Sequence, residues 1–267
     1  MAIDCAISLQ PISQRDFADL DYQVMRLAFE SQSTLGRLCD EVIYQNDLAI
    51  RLESAGLGQV HKEVPVTVSH RDFKKTYWLD LAIGGAAVYE LKTVAALAAE
   101  HESQLLNYLF LSNCQRGKLI NFRPAQVQSK FVNAAITAQS RRQFEIDTRL
   151  WQEASEPCKF LRRSIVELLE DWGTSLDLSL YTEALAYLLG GEEKVLQMIP
   201  LTGDGRLLGN QRLHMLTPDV AFRVTALYDS LKSYEPHLRS LLGHTAVRSI
   251  AWINLGRHHI QFITLTK

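Results

Sequence analysis

The residues best suited to chemistry in this sequence are two acids and a lysine, Asp80, Glu90 and Lys92. They lie in an apolar segment whose pattern predicts two short β-strands, at about 74–83 and 86–92, joined by a glycine turn. Charged side chains in apolar surroundings are costly unless they are paired or bind a metal ion. Metal-dependent hydrolysis of a phosphodiester bond is a reaction that would use all three.

The length of the glycine turn decides whether the three side chains can meet. Side chains alternate between the faces of a strand, and directly paired residues share a face. A two-residue loop would pair Asp80 with Tyr89 and would turn Glu90 to the opposite face. A three-residue loop, Gly84–Ala86, would pair Asp80 with Glu90 and would place Lys92 on the same face. A shared site therefore predicts the three-residue loop.

The composition limits the class of protein. The chain has 267 residues, of which 47% are hydrophobic and 22% charged, as expected for one large or two ordinary globular domains. The net charge of −2 gives no global support for a nucleic-acid partner. Four scattered cysteines suggest neither a disulfide framework nor a zinc site. Without a membrane-length apolar run or a signal-peptide pattern, we expect a cytoplasmic protein with no membrane partner.

The sequence also resembles itself. Residues 27–44 match residues 164–181, and further matches follow in the same order at a slowly drifting offset. Matching pairs include Gly36 with Gly173, Tyr44 with Tyr181, His101 with His237, and Asn121 with Asn254. This predicts a duplication, with domains at 1–136 and 158–267 and a linker at 137–157.

Each copy is predicted to mix helices and strands. In the first copy, helices are expected at about 15–31, 38–54 and 97–112. Strands are expected at about 59–68, 74–83, 86–92, 117–122 and 126–134. This order indicates an α/β fold with at least one helical layer on the sheet.

The second copy lacks the candidate side chains. The alignment places His214, Val224 and Ala226 at the positions of Asp80, Glu90 and Lys92. It places Leu178 at Glu41 and Ser240 at Gln104. We therefore predict an inactive second copy that serves packing or substrate holding. His101 and Asn121 recur in that copy, which favours structural roles for both.

The order of the candidate residues resembles that of a known superfamily. Glu41, Asp80, Glu90-Leu91-Lys92, and Gln104 followed by Tyr108 resemble the PD-(D/E)XK nuclease superfamily. More narrowly, the chain resembles the GxxExxY family within it. The segments that carry this second resemblance are Leu35-Gly36, Glu41–Tyr44, Tyr89–Lys92, His101, Gln104–Leu109 and Leu119–Phe122. Leu38 stands where that family has a glycine three residues before the motif glutamate.

The resemblance implies a fold and a metal site. The fold would be a restriction-endonuclease-like core, with a mixed central sheet flanked by helices. Mg²⁺ or Mn²⁺ would be bound by Asp80, Glu90 and the main-chain carbonyl of Leu91. Glu41 would join them or hold a metal-bound water, and Lys92 would orient the attacking water. Oxygen ligands suit Mg²⁺, and a bound metal acidifies its water.

The same resemblance implies a role for the helix at about 97–112. Gln104 and Tyr108 are spaced i, i+4 on one helix face. They resemble the Gln-x-x-x-Tyr element of RecB-like exonucleases, which lies beside the metal and the substrate strand. For Tyr44 and Tyr108, packing is favoured over a chemical role.

The sequence thus predicts a metal-dependent nuclease that acts on DNA, with RNA as the alternative. One active and one inactive module would form a pseudo-dimer in a single chain, working as a monomer or a dimer. Two other hypotheses stay open. One is a non-cleaving nucleic-acid-binding or accessory protein of a repair or defence complex. The other is a scaffold that contacts proteins through a sheet edge or through the second half.

Overall fold

The chain forms two compact units, each with its own six-stranded sheet. The computed structural model describes residues 2–153 and 155–267, so Met1 and Ala154, the latter within the predicted linker, lie outside the described residues. The first unit contains the chain up to Ser69 together with Lys74–Ala138, and the second contains His70–Phe73 and Gln139–Lys267. Among the described helices, none is long and apolar enough to cross a membrane.

The first unit is a mixed sheet with helices. In chain order its elements are β1 (Ile3–Cys5), α1 (Gln14–Leu35), α2 (Glu41–Ser54), β2 (Val60–His70), β3 (Phe73–Ile83), β4 (Ala87–Lys92), α3 (Ala99–Leu111), β5 (Arg116–Asn121) and β6 (Gln128–Asn133). The strands lie in sequence order across the sheet. Strands β4 and β5 are parallel and are connected by α3, whereas β3–β4 and β5–β6 are antiparallel. The predicted mixed sheet flanked by helices is confirmed.

Helices α1 and α2 pack their apolar stripes into the core of the first unit. On α2, Tyr44, Leu48 and Leu52 recur every fourth residue and are fully buried, as expected for a helix with one face on a sheet. The helix begins at Glu41 and not at the predicted residue 38. The difference arises because Leu38 is exposed and Asp40 has an extended backbone.

The turn between β3 and β4 has the three-residue loop that a shared site requires. The strand pairs are Leu81–Tyr89, Ala82–Val88 and Ile83–Ala87, which leaves residues 84–86 as the loop. Gly84 and Gly85 have φ values of +61° and +64°, a conformation that glycine adopts without strain. The prediction is confirmed. Within the described residues, the β3–β4 pair farthest from the loop is Leu81 with Tyr89. The next two residues beyond that pair, Asp80 and Glu90, are called the first fork.

The second unit has its own mixed sheet. Its elements are α4 (Ala138–Arg141), β7 (Glu145–Leu150), α5 (Glu156–Trp172), α6 (Leu178–Leu188), α7 (Glu192–Val195), β8 (Leu196–Gly203), β9 (Arg206–Thr217), β10 (Val220–Thr225), α8 (Leu231–Gly243), β11 (Ser249–Leu255) and β12 (His259–Thr266). The sheet order is β7-β12-β11-β10-β9-β8. Strands β10 and β11 are parallel and are connected by α8.

The segment predicted as a linker is structured. Strand β7 lies within residues 137–157 and pairs in parallel with β12 at the edge of the second sheet. The domain bounds stay a prediction, but this part of the predicted linker is an edge strand, and five of its six residues are exposed. An exposed edge strand is rich in charged side chains, and its composition resembles that of a linker.

One buried tyrosine contact occurs in both units. Tyr44 donates its hydroxyl proton to the carbonyl oxygen of Gly36 at 2.6 Å, and Tyr181 donates to that of Gly173 at 2.5 Å. In each case the glycine follows the first long helix, and the tyrosine lies on the next helix. The duplication stays a prediction, and this repeated contact supports it.

A second repeated contact involves asparagine. Asn121 donates to the carbonyl of Val94 and accepts from its N–H, at 2.8 and 3.1 Å. Asn254 makes the same two bonds with Leu227, at 3.0 and 2.8 Å. Each asparagine therefore fixes the chain that leaves the neighbouring parallel strand. The structural roles predicted for both asparagines are confirmed.

The strand registers shift the predicted correspondence between the units by one residue. Asn121 pairs with Lys92, and Asn254 pairs with Thr225. The alignment places His214, Val224 and Ala226 at the catalytic positions, whereas the registers give Leu213, Arg223 and Thr225. The alignment offsets these positions by 134 residues, whereas the registers offset them by 133. The corresponding positions still lack the carboxylates.

We expect Tyr44→Phe and Tyr181→Phe each to lower the free energy of unfolding of its own unit by about 1 kcal/mol or more. The reason is that the glycine carbonyl loses its hydrogen-bond donor. Denaturant unfolding measures the change, and Tyr22→Phe is the matched control because Tyr22 is 71% exposed. Stabilities equal to that of the control would contradict a shared structural role.

Candidate active site

Asp80 is held at the first fork by two hydrogen bonds from different elements. Its Oδ2 accepts the main-chain N–H of Leu91 at 2.7 Å, so the carboxylate takes the place of a strand-pairing carbonyl. The side-chain amide of Gln45, on α2, donates to the main-chain carbonyl of Asp80 at 3.0 Å. Together these contacts fix both the strand end and the carboxylate.

Glu90 is the most deeply buried acid of the site. The residue is 1% exposed, and its Oε1 accepts from the Lys92 ammonium at 2.7 Å. Its Oε2 has no hydrogen-bond partner among the described residues. Buried carboxylate oxygens are normally satisfied, so an oxygen left open beside a second acid is where a cation would bind.

Glu41 lies at the rim of this pair. As the first residue of α2 it is half-buried, and its Oε1 is 3.9 Å from the Lys92 ammonium. In the described part of the chain, no three His, Cys, Asp or Glu side chains are grouped closely enough to hold a metal. Glu41 is therefore linked to Asp80 and Glu90 through Lys92. Its role at the metal, as a ligand or as the holder of a metal-bound water, stays a prediction.

Burial and mutual repulsion dominate the electrostatics of the pair. Burial raises the pKa of Asp80, against the lowering effects of the Leu91 N–H and Lys92. Burial and then the Asp80 carboxylate raise the pKa of Glu90. Burial lowers the pKa of Lys92, but Glu90 and the other acids raise it more, so the net shift is upward. The site therefore holds a charged lysine and still favours a further positive charge.

Gln104 and Tyr108 form a hydrogen-bonded pair on α3. The Gln104 amide donates to the Tyr108 hydroxyl at 2.9 Å, as their i, i+4 spacing allows. Burial raises the pKa of Tyr108, and the charges of Glu90 and Asp80 raise it further. The pair thus lies within electrostatic reach of the first fork. Tyr108 also packs edge-on against Tyr77, with ring centroids 6.0 Å apart.

This arrangement has a counterpart among known families. A family model for the PD-(D/E)XK nuclease superfamily matches residues 18–133. Those residues are a PD-(D/E)XK nuclease superfamily domain. The match spans α1 to β6 and includes every candidate catalytic residue. The predicted restriction-endonuclease-like core is confirmed, and the membership indicates a nuclease with a nucleic-acid substrate.

The other comparisons add little. A solved structure titled "Crystal structure of SSO0001" is 20% identical over 44% of this chain and 67% of that chain, with a TM-score of 0.28. No curated protein matches the chain.

Two positioning residues of the nuclease domain are absent from the sequence prediction of the site. Gln45 is buried and also donates to Glu63 at 2.5 Å. Its i, i+4 spacing from Glu41 is the one signal that could have identified it. Asn121 fixes the chain just beyond Lys92 through Val94. Its recurrence in the second copy indicates a structural role, but it does not indicate that Asn121 lies beside Lys92.

Proposed function

We propose that this chain is a metal-dependent nuclease that hydrolyses phosphodiester bonds in DNA, with RNA as the alternative substrate. The observation that carries the proposal is the open Oε2 of Glu90, buried beside Asp80 and next to Lys92. A pair of buried carboxylates that contributed only to folding would be expected to have both sets of oxygens satisfied.

The donor set fits Mg²⁺ or Mn²⁺. Both ions take oxygen ligands, and Mg²⁺ is commonly bound by one or two carboxylates together with waters and substrate phosphate. In this proposal Asp80, Glu90 and the carbonyl of Leu91 hold the ion, and Glu41 holds a water of its shell. When bound, such an ion lowers the pKa of a water and offsets charge on the phosphate oxygens.

The other residues act directly on the substrate or the attacking water. Lys92 is 12% exposed and stays protonated, because the nearby acids raise its pKa despite burial. Its ammonium can donate to the attacking water or to a phosphate oxygen. Gln104 and Tyr108 present an amide and a hydroxyl beside the same acids, where they would position the substrate strand.

The proposal also covers the organisation of the chain. The second unit would be a degenerate nuclease-like repeat, since Leu213 and Arg223 stand where the first fork has its acids. The chain would then be a pseudo-dimer with one active module. Membership of the GxxExxY family and a cytoplasmic location belong to the same proposal.

Cleavage assays with a matched pair of variants test the function. We expect the purified chain to cleave labelled single-stranded DNA, duplex DNA or RNA with Mn²⁺ or Mg²⁺ and to stop when EDTA is added. Asp80→Asn should lower the rate by about 10³-fold, as expected for loss of a metal ligand, whereas Glu53→Gln on the exposed end of α2 should not. Salt-dependent binding without cleavage in every variant would instead favour the non-cleaving nucleic-acid-binding alternative.

A further inference from the structure

The second unit contains a cavity at the point where β9 and β10 stop pairing. Their last pair in the described part of the chain is Phe222 with His214. These two residues and the next ones along, Arg223 and Leu213, line a cavity of about 420 Å³. We call Leu213 and Arg223 the second fork. Helix α8 covers the cavity with Tyr234, His237, Leu238 and Leu241.

The lining of this cavity is basic and apolar. It includes the guanidinium groups of Arg212 and Arg223 and the imidazoles of His214 and His237. None of the lining residues that the structure describes is acidic. Among the ion pairs of the described residues, none involves either arginine. Both arginines are exposed and have no carboxylate partner among the described residues, so their guanidinium groups are open to an anionic ligand from solvent.

The two forks occupy the same place in their sheets and carry opposite charge. Each fork follows the last pair of two antiparallel strands, β3 with β4 in the first unit and β9 with β10 in the second. In each unit the second of these strands leads through a helix to a parallel neighbour, β5 or β11. The first fork has Asp80 and Glu90, which suit a cation. The second has Leu213 and Arg223, so the same position is suited to an anion.

We propose that the cavity at the second fork binds a phosphate-bearing nucleotide unit. Arg223 and Arg212 would bind the phosphate, since guanidinium groups match phosphate oxygens with paired hydrogen bonds. Tyr234 and the apolar residues Leu213 and Leu241 would contact the sugar and the base. The volume lies within the range of small-molecule sites. Among the described residues, no three His, Cys, Asp or Glu side chains are grouped at this fork, so we expect the site to bind and not to cleave.

The charge of Arg223 acts inside the cavity. Burial lowers the pKa of His214, and the Arg223 guanidinium lowers it further, although Glu192 acts in the opposite direction. The imidazole of His214 also lies against the ring of Phe222, with centroids 5.3 Å apart. The cavity therefore has an aromatic wall near its positive charge, which suits a base and a phosphate on one ligand.

Calorimetric titration of the full chain with adenosine 5′-monophosphate tests the site. The titrations contain EDTA, so binding at the first fork through a metal does not contribute. We expect binding of the monophosphate to be weakened roughly tenfold or more by Arg223→Gln. Arg206→Gln, at the start of β9 and outside the cavity, and Asp80→Asn, at the first fork, should leave it unchanged. Circular dichroism establishes that each variant is folded.

Five outcomes decide the proposal. No heat at millimolar monophosphate, or equal affinities for Arg223→Gln and Arg206→Gln, would overturn it. Adenosine binding as tightly as its monophosphate would also overturn it, because the phosphate would then contribute nothing. Tighter binding of a 5′-phosphorylated oligonucleotide than of its 5′-hydroxyl form identifies a strand end as the ligand. Preference for the free monophosphate over both oligonucleotides identifies a soluble nucleotide.

Discussion

Lys92→Gln is expected to lower the rate of nucleic-acid cleavage by about 10²–10³-fold, the usual cost of removing one preorganised donor from an active site. It should not weaken binding of Mn²⁺. The ammonium of Lys92 lies 2.7 Å from Glu90 and 3.9 Å from Glu41. Removing its charge leaves the carboxylates more negative, so metal affinity should stay the same or rise while catalysis is lost.

Single-turnover cleavage and a Mn²⁺ titration separate these two effects. Lys130→Gln is the matched control, since Lys130 is half-exposed on β6 and pairs with Glu102. If cleavage and Mn²⁺ affinity fell together in Lys92→Gln, the lysine would serve to position the ligands. An unchanged cleavage rate would remove Lys92 from the chemistry altogether.

Mn²⁺ is expected to raise the melting temperature of the wild-type nuclease domain and to have no such effect on Glu90→Gln. Burial and the Asp80 carboxylate both disfavour a charged Glu90 in the folded state, as its raised pKa indicates. A bound cation removes that cost in the folded state only. At a metal concentration ten times its dissociation constant, binding adds about 1.4 kcal/mol to the free energy of unfolding. For a domain of this size, that raises the melting temperature by about 3–5 °C.

Without metal, Glu90→Gln should melt above the wild type. The neutral amide can still accept from Lys92, and burial penalises it far less than a carboxylate whose second oxygen has no described partner. Scanning calorimetry with EDTA, Mg²⁺ and Mn²⁺ measures both effects, with Glu53→Gln as the control. An equal Mn²⁺ shift in Glu90→Gln and the wild type would place the ion elsewhere.

The core of the candidate site could be predicted because strands have a side-chain period of two. Once a three-residue loop was required, Asp80 and Glu90 had to lie opposite each other, and the register agrees. The type of each element also followed from the apolar pattern. These inferences depend on near neighbours in the sequence, where the geometry of the chain is most regular.

What could not be predicted depends on distant contacts or on exposure. Gln45 reaches Asp80 across 35 residues, and its i, i+4 spacing from Glu41 places it on the same helix face without indicating that contact. Glu41 lies 3.9 Å from the Lys92 ammonium although the two residues are far apart in the sequence, and sequence order does not encode that contact. Strand β7 resembles a linker in composition because an exposed edge strand needs few apolar residues.

The hydrogen bond between the Asp80 carboxylate and the Leu91 N–H limits how loss of activity can be interpreted. One oxygen of Asp80 already terminates the β3–β4 pairing, and the other remains for a ligand. Alanine at this position would remove an acceptor from the main chain as well as a charge, so an inactive alanine variant could simply have a frayed β4. Asparagine preserves the acceptor for Leu91, which makes it the substitution that distinguishes a role in chemistry from a role in holding the sheet together.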